Sequence, residues 1–463
     1  MTKSNGPSLY LPIIKLQMVL NKIIKFLFPL KIDQSSLGFK YPTHRNTPSQ
    51  SAATWLAGKR EDDNAEGLWR VHDNLYDLNE FVKDHPGGST WLELTKGTDV
   101  TELFETHHLS DIAEKLLPEY FVRKSTTPRN SPFTFKDGDF YKTLKNRVVE
   151  IYPSLSKWPI RRSKLIADCL LALYLTLTFV ATVTFNFKLG LVAGLVLYLT
   201  TVASHNFFHQ RDNFRMYYFD FSLMSSRKWR VSHSMSHHMY TNTIRDLEII
   251  QLEPYLQLLP NKKVWFVRYM SWAYSPIFYG ALFFGAWSRD TLEVIQGKDG
   301  FSMARILPLL PPFAIYMLTG TSPVRIIVMC LWILLVGSFS FGVVGINAAH
   351  HHPDIFHDGD TPRAKDDMDW GVFQVDAVMD RNEITGSHFL VLTHFGDHAL
   401  HHLFPTLDHG MLQFLYPVFK ETCEQFGVKF RMTSQLDLIC GQFRQLARVK
   451  RNAIPPSLGG KDR

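Results

Sequence analysis

Residues 165–209 read "LIADCLLALYLTLTFVATVTFNFKLGLVAGLVLYLTTVASHNFFH", two apolar runs split by a short "NFK" and closed by two histidines four apart. The first run, 165–185, is 21 residues long with one acid, Asp168. At ~1.5 Å per residue it crosses a ~30 Å hydrocarbon core, so the stretch predicts a transmembrane hairpin. Arg161, Arg162 and Lys164 precede it, which by the positive-inside rule places both ends in the cytosol. His205 and His209 then leave the membrane on the cytosolic side.

Three further apolar stretches follow, at 264–287, 303–319 and 324–346. Arg268 interrupts the first, and Pro308, Pro311 and Pro312 interrupt the second. All histidine clusters must meet on one side, so two of the three cross. The expectation is a second hairpin turned at "GTSP", with 264–287 lying in the interface. The final block, 353–463, is charged and has no spanning segment.

Outward from the hairpin, histidine is the recurring residue: the chain of 463 residues has twenty. "HSMSHH" supplies His233, His237 and His238, "HALHH" supplies His398, His401 and His402, and "NAAHHHP" offers Asn347 with His350, His351 and His352. Single buried histidines are usually hydrogen-bonded core residues. Nine left unpartnered would cost ~1–3 kcal/mol each, more than the ~5–15 kcal/mol by which a domain is stable. Neutral imidazole ligates Zn, Cu and Fe, and pairs one turn apart present two nitrogens to one ion. One zinc is full with four ligands, so eight or more histidines indicate two metal ions, and imidazole-rich sites with open positions suit iron and oxygen.

Net charge is +7, but residues 64–123 carry twelve acids against five bases, so an acidic module is joined to a basic remainder. Basic membrane proteins favour anionic cytoplasmic surfaces, and acidic faces suit basic partners. The four cysteines form no CxxC pair, which fits a reducing compartment and no disulfide framework. The acidic module contains "LYDLNEFVKDHPGGSTWL" and "DVTELFETHH". Gly87 and Gly88 permit tight turning and close backbone approach, and Pro86 fixes the chain beside His85. Residues 1–63 read as an amphipathic start, with Lys15, Lys22 and Lys25 on one helical face, followed by a polar linker.

The three boxes, His205-x3-His209, His233-x3-His237-His238 and His398-x2-His401-His402-Leu-Phe-Pro, resemble those of membrane fatty acid desaturases over about residues 140–430. The acidic segment resembles cytochrome b5 over about 66–124. The resemblance implies an α+β cytochrome b5-like domain (64–130) followed by an all-α membrane domain (131–463) with about four transmembrane helices and cytosolic helices. It implies haem b between His85 and His108, with His107 as the competing neighbour. Two non-haem Fe ions are then held by His205, His209, His233, His237, His238, His398, His401 and His402. His351 completes the set, with Asn347 holding an iron-bound water and His350 close enough to compete.

Two departures stand out. The second box has three residues between its first two histidines where two is common, and His398 stands where b5-fused relatives usually have Gln. A haem with two histidine ligands has no open site and carries electrons. The implied activity is O2-dependent desaturation of a fatty acyl lipid, or hydroxylation on the same scaffold. A reading of another class is a membrane-tethered haem carrier without catalysis. Implied partners are cytochrome b5 reductase, with NADH as the ultimate donor, the lipid and O2, with no nucleic acid. The implied location is the endoplasmic reticulum membrane.

Overall fold

The computed structural model describes residues 22–24, 26–47, 50–346, 349–363 and 368–456. Lys15 and Lys25 of the expected amphipathic start lie outside them, as does Asn347.

The stretch expected to be a linker is built into the core. Ser51 caps helix α1 (Ala52–Asp63) by accepting from Thr54 N. Leu37, Phe39, Trp55 and Leu56 are buried in the main hydrophobic cluster. Trp55 Nε1 donates to Arg245 O at 2.9 Å, and Ser35 Oγ donates to the Asp358 carboxylate at 2.8 Å. The segment is polar because its polar groups have buried partners some 200 to 300 residues away, which composition does not reveal.

Strands β1 (Trp69–Val71) and β2 (Asn74–Tyr76) form an antiparallel hairpin turning at His72, whose φ is +52°. Three short helices follow, α2 (Ser89–Thr95), α3 (Thr101–His107) and α4 (Ile112–Leu116). The chain then returns as β3 (Phe121–Lys124) beside β2, giving the order β1-β2-β3. The helices and the loops between them line one side of a cavity of about 830 Å³.

Helix α5 (Phe140–Ile151) buries Phe140, Tyr141, Leu144, Lys145 and Val148, an apolar stripe at helical spacing. Its two lysines bind Glu105 of α3: Lys142 Nζ lies 2.7 Å and Lys145 Nζ 3.6 Å from Glu105 Oε2. His72 Nε2 approaches the other oxygen at 2.8 Å. Arg129 reaches back similarly to Asp99 and Glu102. The acids of the first module thus dock it onto the chain that follows.

Helices α6 (Trp158–Thr184) and α7 (Phe187–Phe208) form the first hairpin, and both are long and apolar enough to cross a membrane. Phe185 takes a left-handed φ of +52°, and Asn186 Oδ1 accepts from Lys188 N, so the reversal takes two residues. Helix α8 (Trp265–Ile295) begins and ends beside the histidine layer. Arg268 Nε donates to Ala447 O at 3.2 Å, and at the other end Asp290 pairs with Lys228 at 3.1 Å, two residues before the second histidine box's helix. That course fits an interfacial helix.

Helix α9 (Leu310–Thr319) is short, preceded by a 3₁₀ turn over Met303–Leu309 that contains Pro308, while Pro311 and Pro312 fall in the helix's first turn, where proline is tolerated. Helix α10 (Pro323–Gly345) is the third membrane-length helix among the described residues. Its start meets the first hairpin's turn, with Arg325 5.4 Å from the Phe185 ring and Trp332 Nε1 donating to Phe187 O. Both hairpins therefore turn at one end and open at the other. Close approach of α7 to α10 requires Gly194, where a Cβ would lie 2.6 Å from Val336 Cβ.

Burial works against the charge on Glu105, but the His72 hydrogen bond and Lys142 outweigh it and hold the carboxyl down at about 2. A depressed carboxylate stabilises fully above its unfolded value near 4.5, and the contribution vanishes as pH falls toward 2. Wild type is expected to lose up to about 3 kcal/mol across that window through this group. In acid-unfolding titrations Glu105→Gln should show a shallower loss over the same range.

Candidate metal centre and haem pocket

Helix α7 delivers His205 and His209 one turn apart at its C-terminal end. The second box lies on a π-helix, Arg230–His237, continued by His238. A π turn takes one more residue than an α turn, which absorbs the extra residue in this box. Helix α11 (His398–Leu403) carries the third box, aimed by Asp380 Oδ1, which accepts from Ala399 N at 2.9 Å.

The imidazoles converge in two groups. His205, His209, His233, His238 and His401 each offer a nitrogen within 4.8 Å of the others, and His237, His350 and His402 form the second set. His398 joins the second set, its Nε2 2.6 Å from His350 Nε2. His350, not His351, is the member of the "HHH" run that enters a group. His351 turns its ring toward His357, at 6.0 Å, and its Nδ1 is buried without a partner. Spacing could not separate the two because the chain here is an irregular loop.

The surroundings fix one ring nitrogen and leave the other facing inward. His233 Nδ1 contacts Glu248 and His237 Nδ1 contacts Asp246, both at 2.8 Å. His350 Nδ1 contacts Ala377 O at 3.1 Å, His402 Nδ1 contacts Gln374 Oε1 at 3.0 Å, and His401 Nδ1 contacts His409 Nε2 at 3.1 Å. Anchoring of this kind sets tautomer and basicity in metal-ligating histidines. His409 is the functional residue that the sequence reading missed. It stands alone in "TLDHG", outside any box, and only the fold brings it to His401.

Nε2 of His237, His401 and His402 is buried and unpaired, whereas His205, His238 and His398 turn Nε2 toward neighbouring imidazoles and leave a buried Nδ1 without a partner behind. Burial and neighbouring imidazoles hold His209, His238, His350, His398, His401 and His402 well below the usual histidine range, hence neutral. Burial alone would lower His237 too, but Asp246 and Glu248 push it up to about 9. His233 commits its proton to Glu248, so its Nε2 lone pair meets His205 Nε2 at 2.7 Å. Buried imidazole nitrogens that converge on one another in this way fit metal cations between them.

The cavity of the first module is lined by His85, His107 and His108, with apolar walls from Phe81, Trp91, Leu103 and Phe104. The His85 and His108 rings stand 6.3 Å apart, too far for contact and with room for a flat macrocycle. His85 Nδ1 contacts Gly88 O at 3.0 Å and His108 Nδ1 contacts Phe104 O at 2.9 Å, leaving both Nε2 atoms free for an axial metal. His107 instead packs its ring on Trp91 at 5.2 Å. Burial pushes His108 down to about 4, so it is a neutral donor at physiological pH.

A family model described as "Fatty acid desaturase" matches residues 148–434, and one described as "Cytochrome b5-like Heme/Steroid binding domain" matches 56–125. The chain belongs to the fatty acid desaturase family. It is an oxidoreductase with a fused cytochrome b5 domain. The chain is 44% identical to the cytochrome b5-related protein of Drosophila melanogaster over 432 residues, 92% of this chain and 98% of that one. The fusion of a cytochrome b5 module to a desaturase-like domain also makes the sequence look most like insect cytochrome b5-related proteins, and this match bears that out. More distant is Delta(5) fatty acid desaturase A of Dictyostelium discoideum, 26% identical over 78% of this chain and 86% of its own. The acyl-lipid (8-3)-desaturase of Mortierella alpina is 22% identical over 81% and 92%. No solved structure matches the chain.

Replacing Asp246 by Asn removes the carboxylate that orients His237. Metal retention is expected to fall about 10–100-fold, read as metal content after dialysis against graded chelator.

Proposed function

We propose that the protein is a membrane-bound, O2-dependent desaturase of fatty acyl lipids, with its own haem as electron donor to a pair of iron ions. The observation that carries this reading is the convergence of nine buried imidazoles in two sets, next to a pocket shaped for bis-histidine haem. His205, His209, His233, His238 and His401 would hold one ion, and His237, His350, His398 and His402 the other. His85 and His108 would hold the haem between them. The iron pair, when bound, supplies the O2 chemistry that removes hydrogen from an unactivated acyl methylene.

The chain's own contribution is positioning and exclusion of water. Glu248, Asp246, Gln374 and the Ala377 carbonyl hold the imidazoles from behind, so their inward nitrogens need little rearrangement to bind. Gln374 also donates through Nε2 to His238 O at 2.9 Å, tying the second box to the third. The nine rings are each at most 5% exposed, which keeps bulk water from the reacting region.

Arg161, Arg162 and Lys164 precede α6 at the end of the helices where the histidines gather, which supports a cytosolic site in the endoplasmic reticulum membrane. Cytochrome b5 reductase, drawing on NADH, is the expected source of electrons. The Delta(5) and (8-3) relatives support an acyl-lipid substrate.

The test is metal analysis of the purified protein beside lipid profiling of yeast expressing it or His401→Ala. Two irons beyond the haem iron and new double bonds lost in the variant are the expected result. Haem iron alone, with identical lipid profiles, would leave only the tethered carrier, and a hydroxylated product would move the reaction to hydroxylation. Among single variants, His350→Ala should lose non-haem iron and product, whereas His351→Ala should keep most of both. The reverse pattern would assign the ligand to His351.

A further inference from the structure

The haem cavity is not closed by the cytochrome b5 module alone. Val149, Tyr152 and Pro153 line it from α5 and the turn after it, and His209, Gln210 and Arg211 line it from the end of the first histidine box. The next residue, Asp212, fastens the two parts. Its backbone N–H donates to Gly87 O at 3.1 Å, and its carboxylate packs so closely on Gly88 that a Cβ there would lie 2.2 Å from Oδ2. The same carboxylate pairs with Arg230, whose guanidinium lies 4.7 Å over the Trp91 ring of the cavity wall. Gly88 in turn anchors His85. One tetrapeptide, His209 to Asp212, thus runs from the metal centre, along the haem cavity, to the loop that holds a haem ligand.

The charge around the cavity is one-sided. No Asp or Glu lines it, its histidines aside Arg211 is its one cationic side chain, and among the described residues no acid lies within ion-pair distance of Arg211. Asp212, its neighbour in sequence, is taken by Arg230. Haem b carries two carboxylates that must leave an apolar cavity or meet a cation. Among the other lining side chains the polar groups are hydroxyls, the Trp91 indole, the Gln210 amide and imidazoles, none of them a fixed positive charge.

We infer that the haem site is composite: the first-box turn of the desaturase domain completes it, and Arg211 is the counter-charge for a haem carboxylate. This rests on the reading that the cavity holds haem, and it makes Arg211 a cofactor-binding residue outside the cytochrome b5 module. A guanidinium matches a carboxylate through two parallel hydrogen bonds, and the exposure of Arg211 sets a modest strength that salt weakens. A positive charge beside the haem also disfavours the ferric form, which is the more positive of the two, so its removal lowers the midpoint potential.

The test uses full-length haem-loaded protein in detergent at low ionic strength, with Arg211→Gln and Arg211→Lys. Haem loss to excess apomyoglobin should be about two- to tenfold faster in Arg211→Gln, with a lower midpoint potential. Arg211→Lys should restore most of the potential, which a purely structural role would not require. Arg211→Gln with wild-type haem loss and potential, and an intact bis-histidine spectrum, would overturn the anchor while leaving the haem reading standing. A wild-type protein with no bis-histidine spectrum would overturn both.

Discussion

The structure depends on holding nine imidazoles together out of water, with ring nitrogens converging in two groups and only His237 kept charged, by Asp246 and Glu248. In an apolar interior this arrangement repels itself, and each unpaired nitrogen carries a desolvation cost. The surrounding fold supplies the opposing restraint. Asp246, Glu248, Gln374, the Ala377 carbonyl and His409 grip the outward nitrogens, each from an element separate from the box it serves. The hairpins are arranged to the same end: they turn together near Phe185 and Arg325 and open together at the histidines.

The same constraint explains how the two modules are joined. An acidic module suggests a surface for a basic partner, yet Asp99, Glu102 and Glu105 are buried against Arg129, Lys142 and Lys145 of the same chain. Part of the charge asymmetry is therefore an internal docking device. It holds α3, which ends at His107 beside His108, against α5, so the haem cavity and the metal centre share the wall that contains His209.

The legible parts of the sequence were those with local periodicity. The membrane hairpin showed in runs of apolar residues, and the boxes showed in histidines one helical turn apart. The residues that failed to show are those whose role is set across the fold. His409 has no box, the choice between His350 and His351 depends on a loop, and residues 33–63 pass for a linker until Trp55 and Ser35 meet their partners at Arg245 and Asp358. Asn347 lies outside the described residues. Helix α8 is intermediate: its charged ends were visible, and only the contacts of Arg268 and Asp290 show that both reach the same side.

The second box shows how spacing and geometry compensate. In an α-helix an extra residue between His233 and His237 would rotate one imidazole by about 100° away from its partners. The π-helical turn over Arg230–His237 takes up that residue, so His233 and His238, five apart, stand on one face and enter the same group. His237 is then released to the second group, where Asp246 anchors it. A departure that looks like a weakened motif in sequence is thus the local distortion that lets one short helix serve both metal positions.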